Sequence, residues 1–147
     1  MIAFVAMTLA HLDAVSDIER VSHHTPWSRG NFVDSLEGGH VATVMQEEGA
    51  VLGYAVVMPL PEEAELLNIT VAPEARRGGL GRALLEHVCA GARVQGARRI
   101  FLEVRASNVP ARTLYVRNGF TEVGLRRAYY AAGDGEREDA ILMAKDL

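Results

Sequence analysis

Residues 68–82 read NITVAPEARRGGLGR: a β-rich run, then a turn rich in arginine and glycine, then the start of a helical pattern. Glycines lack a Cβ, so successive backbone N–H groups can point into one concavity, and the N-terminus of the following helix adds roughly half a positive charge. Arg76, Arg77 and Arg82 place guanidinium groups around that concavity. The segment therefore predicts a binding site for an anion such as a pyrophosphate.

Three kinds of phosphate-binding loop can be compared with this segment. The Walker type requires a Lys-Ser/Thr pair after the glycines, which is absent, so ATP hydrolysis is not expected. Gly79, Gly81 and the later acid Glu103 partly match a dinucleotide fingerprint, but Leu84 occupies the third glycine position and the elements do not follow a βαβαβ order. The third type has a polar residue, two spacers, Gly, one spacer and Gly, and Arg76-x-x-Gly79-x-Gly81 fits it.

Strand-like runs lie on both sides of this segment. Before and within it they are predicted at residues 2–6, 41–45, 51–60 and 65–71, and the last three form an antiparallel meander. After it they are predicted at residues 100–104, 120–127 and 140–144. Together with the helices described next, these runs predict an α/β (α+β) chain whose sheet is mostly antiparallel.

Helical patterns fill the intervals between the strand-like runs. The first follows Thr8, and its apolar residues at near-helical spacing are Leu12, Val15, Ile18 and Val21. A second begins after Ser28, and a third covers residues 80–96. A fourth begins after Asn108, a predicted N-cap, and ends at Gly119 in the left-handed conformation.

The composition limits the class of protein. The chain has 147 residues, 49% of them hydrophobic, and is expected to form a single domain over residues 1–147 without disulfides or metal. A formal net charge of −4 argues against a nucleic-acid partner. Cys89 is the only cysteine and is expected to be a buried, inert thiol. No apolar run could span a membrane and no signal-like segment occurs, so a cytoplasmic protein is expected.

Several motifs together resemble one family. They are Pro26-Trp27-Ser28, Leu67-Asn68-Ile69, the glycine loop, Leu102-Glu103-Val104-Arg105-Ala106-Ser107-Asn108, Leu114-Tyr115, Gly119-Phe120, Arg126-Arg127-Ala128-Tyr129-Tyr130 and Arg137-Glu138-Asp139-Ala140. Over nearly its whole length the chain resembles the GNAT (GCN-five-related N-acetyltransferase) superfamily, and more narrowly its bacterial RimI type, the ribosomal-protein alanine N-acetyltransferases. The resemblance implies the GNAT fold, in which helices flank a mostly antiparallel central sheet and two strands splay apart at the acetyl-CoA cleft.

Two positions depart from the family pattern. Arg76 stands where glutamine usually begins the loop, a change that leaves phosphate binding intact. Ala128 stands where this subfamily more often has asparagine before the two tyrosines, which bears on acceptor binding.

The resemblance also assigns the acetyl-CoA site. Main-chain groups of Ile69, Thr70 and Val71 are expected to bind the pantetheine arm like an added strand, while their side chains serve the core. The pyrophosphate is expected to bind to Arg76, Arg77, Gly78, Gly79, Leu80, Gly81 and Arg82. Asn108 is expected to contact the coenzyme as well as to cap its helix, although the cap alone would explain its presence.

Two residues receive catalytic roles from the same resemblance. Glu103 is expected to be the general base, acting through water, and its alternative role is a strand-end carboxylate paired with an arginine such as Arg105. Tyr115 lies seven residues beyond Asn108, two helical turns on, so its phenol can face the cleft and donate a proton to the departing thiolate. Its alternative role is core packing. The oxyanion donor is expected to be a main-chain N–H near Val71.

The acceptor is expected to be the α-amine of a protein N-terminus. The RimI resemblance implies the N-terminal alanine of the eighteenth small-subunit ribosomal protein. Transfer is expected to be direct, with no acetyl-cysteine intermediate. Two alternatives stay open: a GNAT enzyme that acts on a lysine side chain or a small amine, and a non-catalytic acetyl-CoA-binding module.

The acceptor site is expected to include Trp27, Tyr129 and Tyr130. Trp27 has an alternative role, because it precedes the predicted cap Ser28 and can pack on Phe32 as a hydrophobic staple. His23 and His24 precede this segment and are expected to be surface residues, since no carboxylate lies at a metal-binding spacing from them.

Overall fold

The computed structural model describes all 147 residues and contains one seven-stranded sheet in the order β1-β2-β3-β4-β5-β7-β6. Its strands are β1 (Ile2–Ala6), β2 (Val41–Glu47), β3 (Ala50–Leu60), β4 (Glu63–Val71), β5 (Arg99–Arg105), β6 (Thr121–Ala131) and β7 (Arg137–Asp146). Its helices are α1 (Leu12–Ser22), α2 (Arg29–Glu37), α3 (Leu80–Val94) and α4 (Val109–Arg117). No helix is both long enough and apolar enough to cross a bilayer.

The contact between β4 and β5 is the one parallel pairing in the sheet. The two strands are in register only at their starts, and the last pair is Glu65 with Phe101. Beyond that pair, β4 continues to Val71 and β5 to Arg105 without pairing to each other. The predicted mostly antiparallel sheet with a splayed strand pair is therefore confirmed.

A β-bulge in β4 lies just beyond the point of divergence. Val57 pairs with Leu66 while Val56 pairs with Asn68, so Leu67 is an extra residue without a partner on β3. Such an insertion breaks the alternation of side chains along the strand. As a result, Ile69 packs against the core under α3 and α4, whereas Asn68 bonds to a side chain of α1.

Two apolar cores lie on opposite faces of the sheet. Buried residues under α3 and α4 include Leu84, Leu85, Val88, Ile100, Leu102 and Met143. Those under α1 and α2 are Met7, Leu12, Val15, Phe32, Ala42, Val44, Tyr54 and Val56. Each fully buried large apolar side chain contributes about 1.5–3 kcal/mol, so both helix layers are held firmly on the sheet.

The predicted helix starts and stops agree with the structure. Ser28 Oγ accepts a hydrogen bond from the Asn31 N–H at 3.1 Å, and the rings of Trp27 and Phe32 lie 5.0 Å apart, as a hydrophobic staple requires. Asn108 Oδ1 accepts from the Ala111 N–H at 3.3 Å. The φ angle of Gly119 is +93°, so the turn after α4 needs glycine.

Two details of the predicted elements were wrong. Val21 was placed on the apolar face of the first helix, but it is 67% exposed, and Glu19 is buried in its stead. The last two strands are longer than predicted, since the hairpin of β6 and β7 extends well past residue 127. This extension brings the hairpin tip over the gap between β4 and β5.

Candidate functional site

A cleft of about 790 Å³ opens where β4 and β5 diverge. Its size falls within the usual range of small-molecule sites. Residues reach it from both faces of the sheet. On the coenzyme side its wall includes Ile69 of β4, Asn108 and Tyr115. Val71 and the loop 76–82 follow Ile69 in the chain and are counted with this side, although they lie outside the cleft wall. The acceptor side is defined by His23, Thr25, Trp27, Glu103, Arg105, Tyr129 and Tyr130.

The loop on the coenzyme side presents main-chain N–H groups. Gly79 is the N-cap of α3 at φ +76°, and no side chain caps this helix, so the N–H groups of its first turn have no partner. A Cβ added at Gly78 or Gly79 would meet nothing within 4 Å. The loop is therefore an open cradle with a positive helix end, which suits a pyrophosphate.

Gly81 differs from the other loop glycines. A Cβ at Gly81 would lie 3.3 Å from Leu114 Cδ2 and 3.9 Å from Val71 Cγ2. This glycine therefore lets α3 pack close to α4 and β4. Gly81 can still contribute to ligand binding, because it lies in the first turn of α3.

The three loop arginines do not converge in the ligand-free protein. Arg76 donates from Nε to the Val71 carbonyl at 3.1 Å and from a terminal nitrogen to Ser22 Oγ at 3.2 Å. Arg82 forms an exposed ion pair with Glu86 at 2.8 Å. Arg77 adopts φ +72°, a left-handed conformation that costs a non-glycine residue about 1–2 kcal/mol. Arg76 thus joins the loop to α1 and β4.

The edge of β4 that faces β5 has no strand partner from Leu66 onward. Main-chain groups of Ile69, Thr70 and Val71 along this edge are available for a peptide-like ligand, apart from the Val71 carbonyl bonded by Arg76. An extended chain with amide groups could pair there as an added strand. This geometry fits the expected position of a pantetheine arm.

Tyr115 lies on the coenzyme side, within the core under α4. Its side chain is 7% exposed, its ring is 5.6 Å from that of Phe120, and it also lines the cleft. Burial, and secondarily Tyr130, raises the pKa of the Tyr115 phenol above its ordinary value of 10.0. The phenol is therefore protonated throughout the physiological range. Asn108, the cap of α4, lines the same part of the cleft.

Glu103 lies on the acceptor side, because Leu102 and Val104 beside it point into the opposite core. Its Oε1 is 3.3 Å from Nε of Arg126. A second carboxylate is nearby: burial, and then the charge of Glu103, raises the pKa of Glu65, while Arg126 opposes this shift. The alternative expected for Glu103, a carboxylate paired with an arginine, therefore fits the structure, although the arginine is Arg126 and not Arg105.

Arg105 connects three segments around the acceptor side. Its guanidinium donates to Glu138 and to the Ala131 carbonyl at 3.0 and 2.9 Å, and to Thr25 Oγ1 at 3.3 Å. It also lies over the ring of Tyr130, 4.4 Å from the centroid. Arg105 therefore fixes the β6–β7 hairpin against the connection between α1 and α2.

The hairpin carries the two predicted acceptor-site tyrosines. The rings of Tyr129 and Tyr130 are 5.1 Å apart in a T-shaped contact. Ala128 has φ +51° within a bulge of β6, where its N–H donates to Asp139 at 2.9 Å and its carbonyl accepts from Arg137 at 2.7 Å. Trp27 lies across the mouth, so it combines the staple contact with a place in the cleft wall.

A sequence model of the acetyltransferase (GNAT) family matches residues 8–120. The chain belongs to this family. GNAT enzymes transfer acetyl groups from acetyl-CoA. The chain is 41% identical over 133 residues to the ribosomal protein bS18-alanine N-acetyltransferase of Escherichia coli (strain K12), covering 90% of this chain and 89% of that protein. It is 34% identical to the Haemophilus influenzae protein of the same name, with 87% of each covered.

Solved structures of GNAT proteins agree with this assignment. The crystal structure of the ribosomal-protein-S18-alanine N-acetyltransferase from Escherichia coli is similar with a TM-score of 0.92 and 38% identity, over 99% of this chain and 94% of that one. A ribosomal-protein-alanine N-acetyltransferase from Brucella melitensis gives a TM-score of 0.84 at 27% identity, over 99% of both chains. The chain therefore has the fold of this GNAT subgroup.

Sequence reasoning missed a buried polar network beneath the acceptor side of this GNAT cleft. Glu19 is 1% exposed, and its carboxylate accepts from Tyr54 at 2.7 Å, from Asn68 Nδ2 at 3.0 Å and from the Trp27 N–H at 3.0 Å. Thr70 joins through a bond to Asn68 Oδ1 at 2.8 Å, so its side chain serves this network and not the apolar core. The sequence contained one indication of this network, because Glu19 is an acidic residue on the apolar face of α1.

His23 was expected at the surface, and this was wrong. Its Nε2 is 2.7 Å from Thr70 Oγ1 and 3.5 Å from Glu19 Oε1, and its side chain is only 34% exposed. His24 is exposed. Cys89 is buried in α3, and burial raises the pKa of its thiol. No group of three or more possible metal-ligating side chains is found.

Proposed function

We propose that this chain transfers the acetyl group of acetyl-CoA directly to the α-amine of a protein N-terminus, and that the acceptor is the N-terminal alanine of ribosomal protein bS18. The observation that carries the proposal is the two-sided cleft, which has Tyr115 on the coenzyme side and Glu103 on the acceptor side. The names of the relatives support the choice of acceptor.

The coenzyme side supplies binding groups for each part of acetyl-CoA. N–H groups of residues 78–82 at the N-terminus of α3 would hold the pyrophosphate, and Arg77 and Arg82 would turn towards it, Arg82 leaving its exposed ion pair with Glu86. The open edge of β4 at Ile69, Thr70 and Val71 would hold the pantetheine arm, and Asn108 would contact the coenzyme near α4. A main-chain N–H near Val71 would stabilise the oxyanion.

The acceptor side supplies a general base and the residues that contact the incoming peptide. Glu103 would accept a proton from the amine through water, with Arg126 holding its carboxylate. Tyr115, on the other side, would donate its proton to the departing thiolate. Trp27, Tyr129 and Tyr130 would contact the first residues of the acceptor. The net charge of −4 suits a basic ribosomal protein in the cytoplasm.

An α-amine is the easier acceptor for this site. Its pKa is roughly 7.7–8.0, so on the order of a tenth is neutral near pH 7, whereas lysine at about 10.4 is neutral in less than about a thousandth. Deprotonating lysine costs about 3 kcal/mol more, from roughly 2.5 pKa units. A carboxylate acting through water meets the smaller demand.

Competition between two peptides tests the proposal. One peptide carries a free N-terminal alanine, and the other has the same sequence with a blocked N-terminus and a single lysine. Mass spectrometry should show acetyl-CoA-dependent modification of the first at least about tenfold faster. Equal or faster modification of the lysine peptide would contradict the α-amine assignment, and failure to acetylate any amine would contradict the enzymatic role.

A further inference from the structure

Acetyl transfer to an ammonium group removes two protons from one nitrogen. The nitrogen of an N-terminal ammonium loses two protons while its bond to the acetyl carbon forms and the carbon–sulfur bond breaks. One proton replaces the lost bond on the departing sulfur, and one is released to solvent. Resting on the proposed function, this balance gives a role to a second proton acceptor near the nitrogen, in addition to Glu103.

The hydrogen-bond network under the acceptor side fixes the tautomer of His23. The carboxylate of Glu19 can only accept, so Asn68 must point its amide nitrogen towards Glu19 and its oxygen towards Thr70. The Thr70 hydroxyl therefore donates to Asn68. Thr70 Oγ1 then accepts from His23 at 2.7 Å, which places the proton of a neutral imidazole on Nε2.

The other ring nitrogen of His23 is accessible to solvent, and the residue itself lines the cleft. Nδ1 has no hydrogen-bond partner in the protein, and it is absent from the buried polar atoms that lack one, so it is accessible to solvent. The residue lies in the wall of the acceptor side, and it is bonded to the β4 strand opposite Glu103 of β5. An amine that enters past Trp27 thus reaches a cleft whose wall includes both His23 and Glu103.

We propose that His23 is a second proton acceptor, a catalytic residue whose Nδ1 takes the first proton from the acceptor ammonium. The neutral amine then attacks the thioester, and Glu103 takes the second proton as the amide forms. Tyr115 gives its proton to the departing thiolate and is reprotonated by the proton that Glu103 holds. His23 returns its proton to solvent, so the sum is one amide, one thiol and one released proton.

The surroundings of His23 keep it neutral near pH 7. Burial lowers the pKa of His23 below its ordinary value of 6.5. Glu19 on α1 raises it, while Arg76 after β4 and Arg105 on β5 lower it further. A neutral imidazole is the form that can accept a proton.

Two matched substitutions test this role. His23→Gln retains an N–H for Thr70 but has no basic nitrogen, and His24→Gln makes the same change at the exposed neighbour. With an N-terminal alanine peptide, we expect kcat/KM to fall about 10²-fold in His23→Gln, with acetyl-CoA affinity unchanged, and to stay at the wild-type level in His24→Gln. The wild-type pH profile should show an extra titration below pH 6.5 that His23→Gln lacks.

The tautomer provides a readout that does not depend on turnover. Long-range ¹H–¹⁵N NMR of the histidine rings at pH 7.5 should show His23 protonated on Nε2 and bare on Nδ1. An Nδ1-protonated ring would overturn the inference, as would a His23→Gln enzyme with wild-type kcat/KM or an unchanged pH profile. Wild-type protein that shows this tautomer but acetylates no amine would contradict the proposed function, and His23 catalysis with it.

Discussion

The coenzyme side and the acceptor side of the cleft are built by different means. The coenzyme side uses main-chain N–H groups from one continuous stretch, residues 78–82, at the uncapped N-terminus of α3. The acceptor side uses side chains from the connection between α1 and α2, from β5 and from the β6–β7 hairpin, and these are already bonded to one another. One side is an open cradle, and the other is a preassembled network.

This difference separates the part of the site that is local in sequence from the part that depends on tertiary structure. A cradle of N–H groups recognises a phosphate wherever a glycine turn enters a helix. A network such as that of Glu19 recognises nothing by itself, but it fixes the groups that contact the acceptor. Substitutions on the coenzyme side should therefore change binding, and those on the acceptor side should change turnover or stability.

The largest effect is expected from a charge placed in the cradle. Gly78→Glu should weaken acetyl-CoA binding by at least about a thousandfold, because a carboxylate beside a pyrophosphate costs several kcal/mol. Gly78 has an ordinary φ and open space around its Cβ position, so the folded protein should tolerate the change. Isothermal titration calorimetry with acetyl-CoA measures the loss.

Gly91→Glu is the matched control for that variant. Gly91 lies within α3, the helix that follows the loop, and it also has open space around its Cβ position and an ordinary φ. Its affinity for acetyl-CoA should equal that of the wild type. If folded Gly78→Glu also binds normally, the cradle is not the pyrophosphate site.

A smaller loss, in turnover alone, is expected from Tyr115→Phe. Removing the phenol should lower kcat about 10²-fold, the lower end of the usual range, since burial raises the pKa of this hydroxyl and makes it a weaker acid. The affinity for acetyl-CoA should stay within about twofold, because the aromatic ring is retained. A variant with full kcat would remove Tyr115 from the reaction and leave it a packing role.

The sequence predicted the helix caps and turns better than the buried polar network, and the reason is the range of the contacts. Ser28, Asn108 and Gly119 act within a few residues of themselves, so their caps and turns could be assigned correctly. Glu19 bonds to residues 35 and 49 positions away, and His23 bonds to one 47 positions away. No local pattern encodes such contacts.

Resemblance to the family added what local patterns could not. It placed the splayed strands, and it singled out Glu103 as the acid of β5 that faces the cleft. It did not identify Arg126 as the partner of Glu103, because that contact depends on how far the β6–β7 hairpin extends. The length of that hairpin also decides where Tyr129 and Tyr130 lie.

A loss of stability is expected when Glu19, the central hydrogen-bond acceptor of the preassembled network, is replaced. Glu19→Ala leaves the Tyr54 hydroxyl, the Asn68 amide and the Trp27 N–H without their acceptor. The free energy of unfolding should fall by about 2–4 kcal/mol, measured by urea denaturation. Glu37→Ala, at an exposed position, should change it by no more than about 0.5 kcal/mol. If Glu19→Ala is as stable as the wild type, water replaces the Glu19 carboxylate in the network without a cost in free energy.

The smallest effect is expected at the hairpin bulge. Ala128 is exposed and has φ +51°, a conformation that asparagine adopts more readily than alanine. Ala128→Asn should raise the free energy of unfolding by about 0.5–1 kcal/mol while its main-chain bonds to Asp139 and Arg137 remain. Chemical denaturation measures this free energy. If it is lower in Ala128→Asn than in the wild type, the strain at this bulge is relieved in another way.

The two-sided cleft is tested most directly by a crystal structure with a conjugate that joins coenzyme A to an N-terminal alanine peptide. The pyrophosphate should contact the N–H groups of residues 78–82, and the sulfur should lie beside Tyr115. The alanine nitrogen should lie between His23 and Glu103, and the peptide should leave between Trp27 and Tyr130. A peptide that leaves on the same face as the pyrophosphate, or an alanine nitrogen remote from Glu103, would contradict the account.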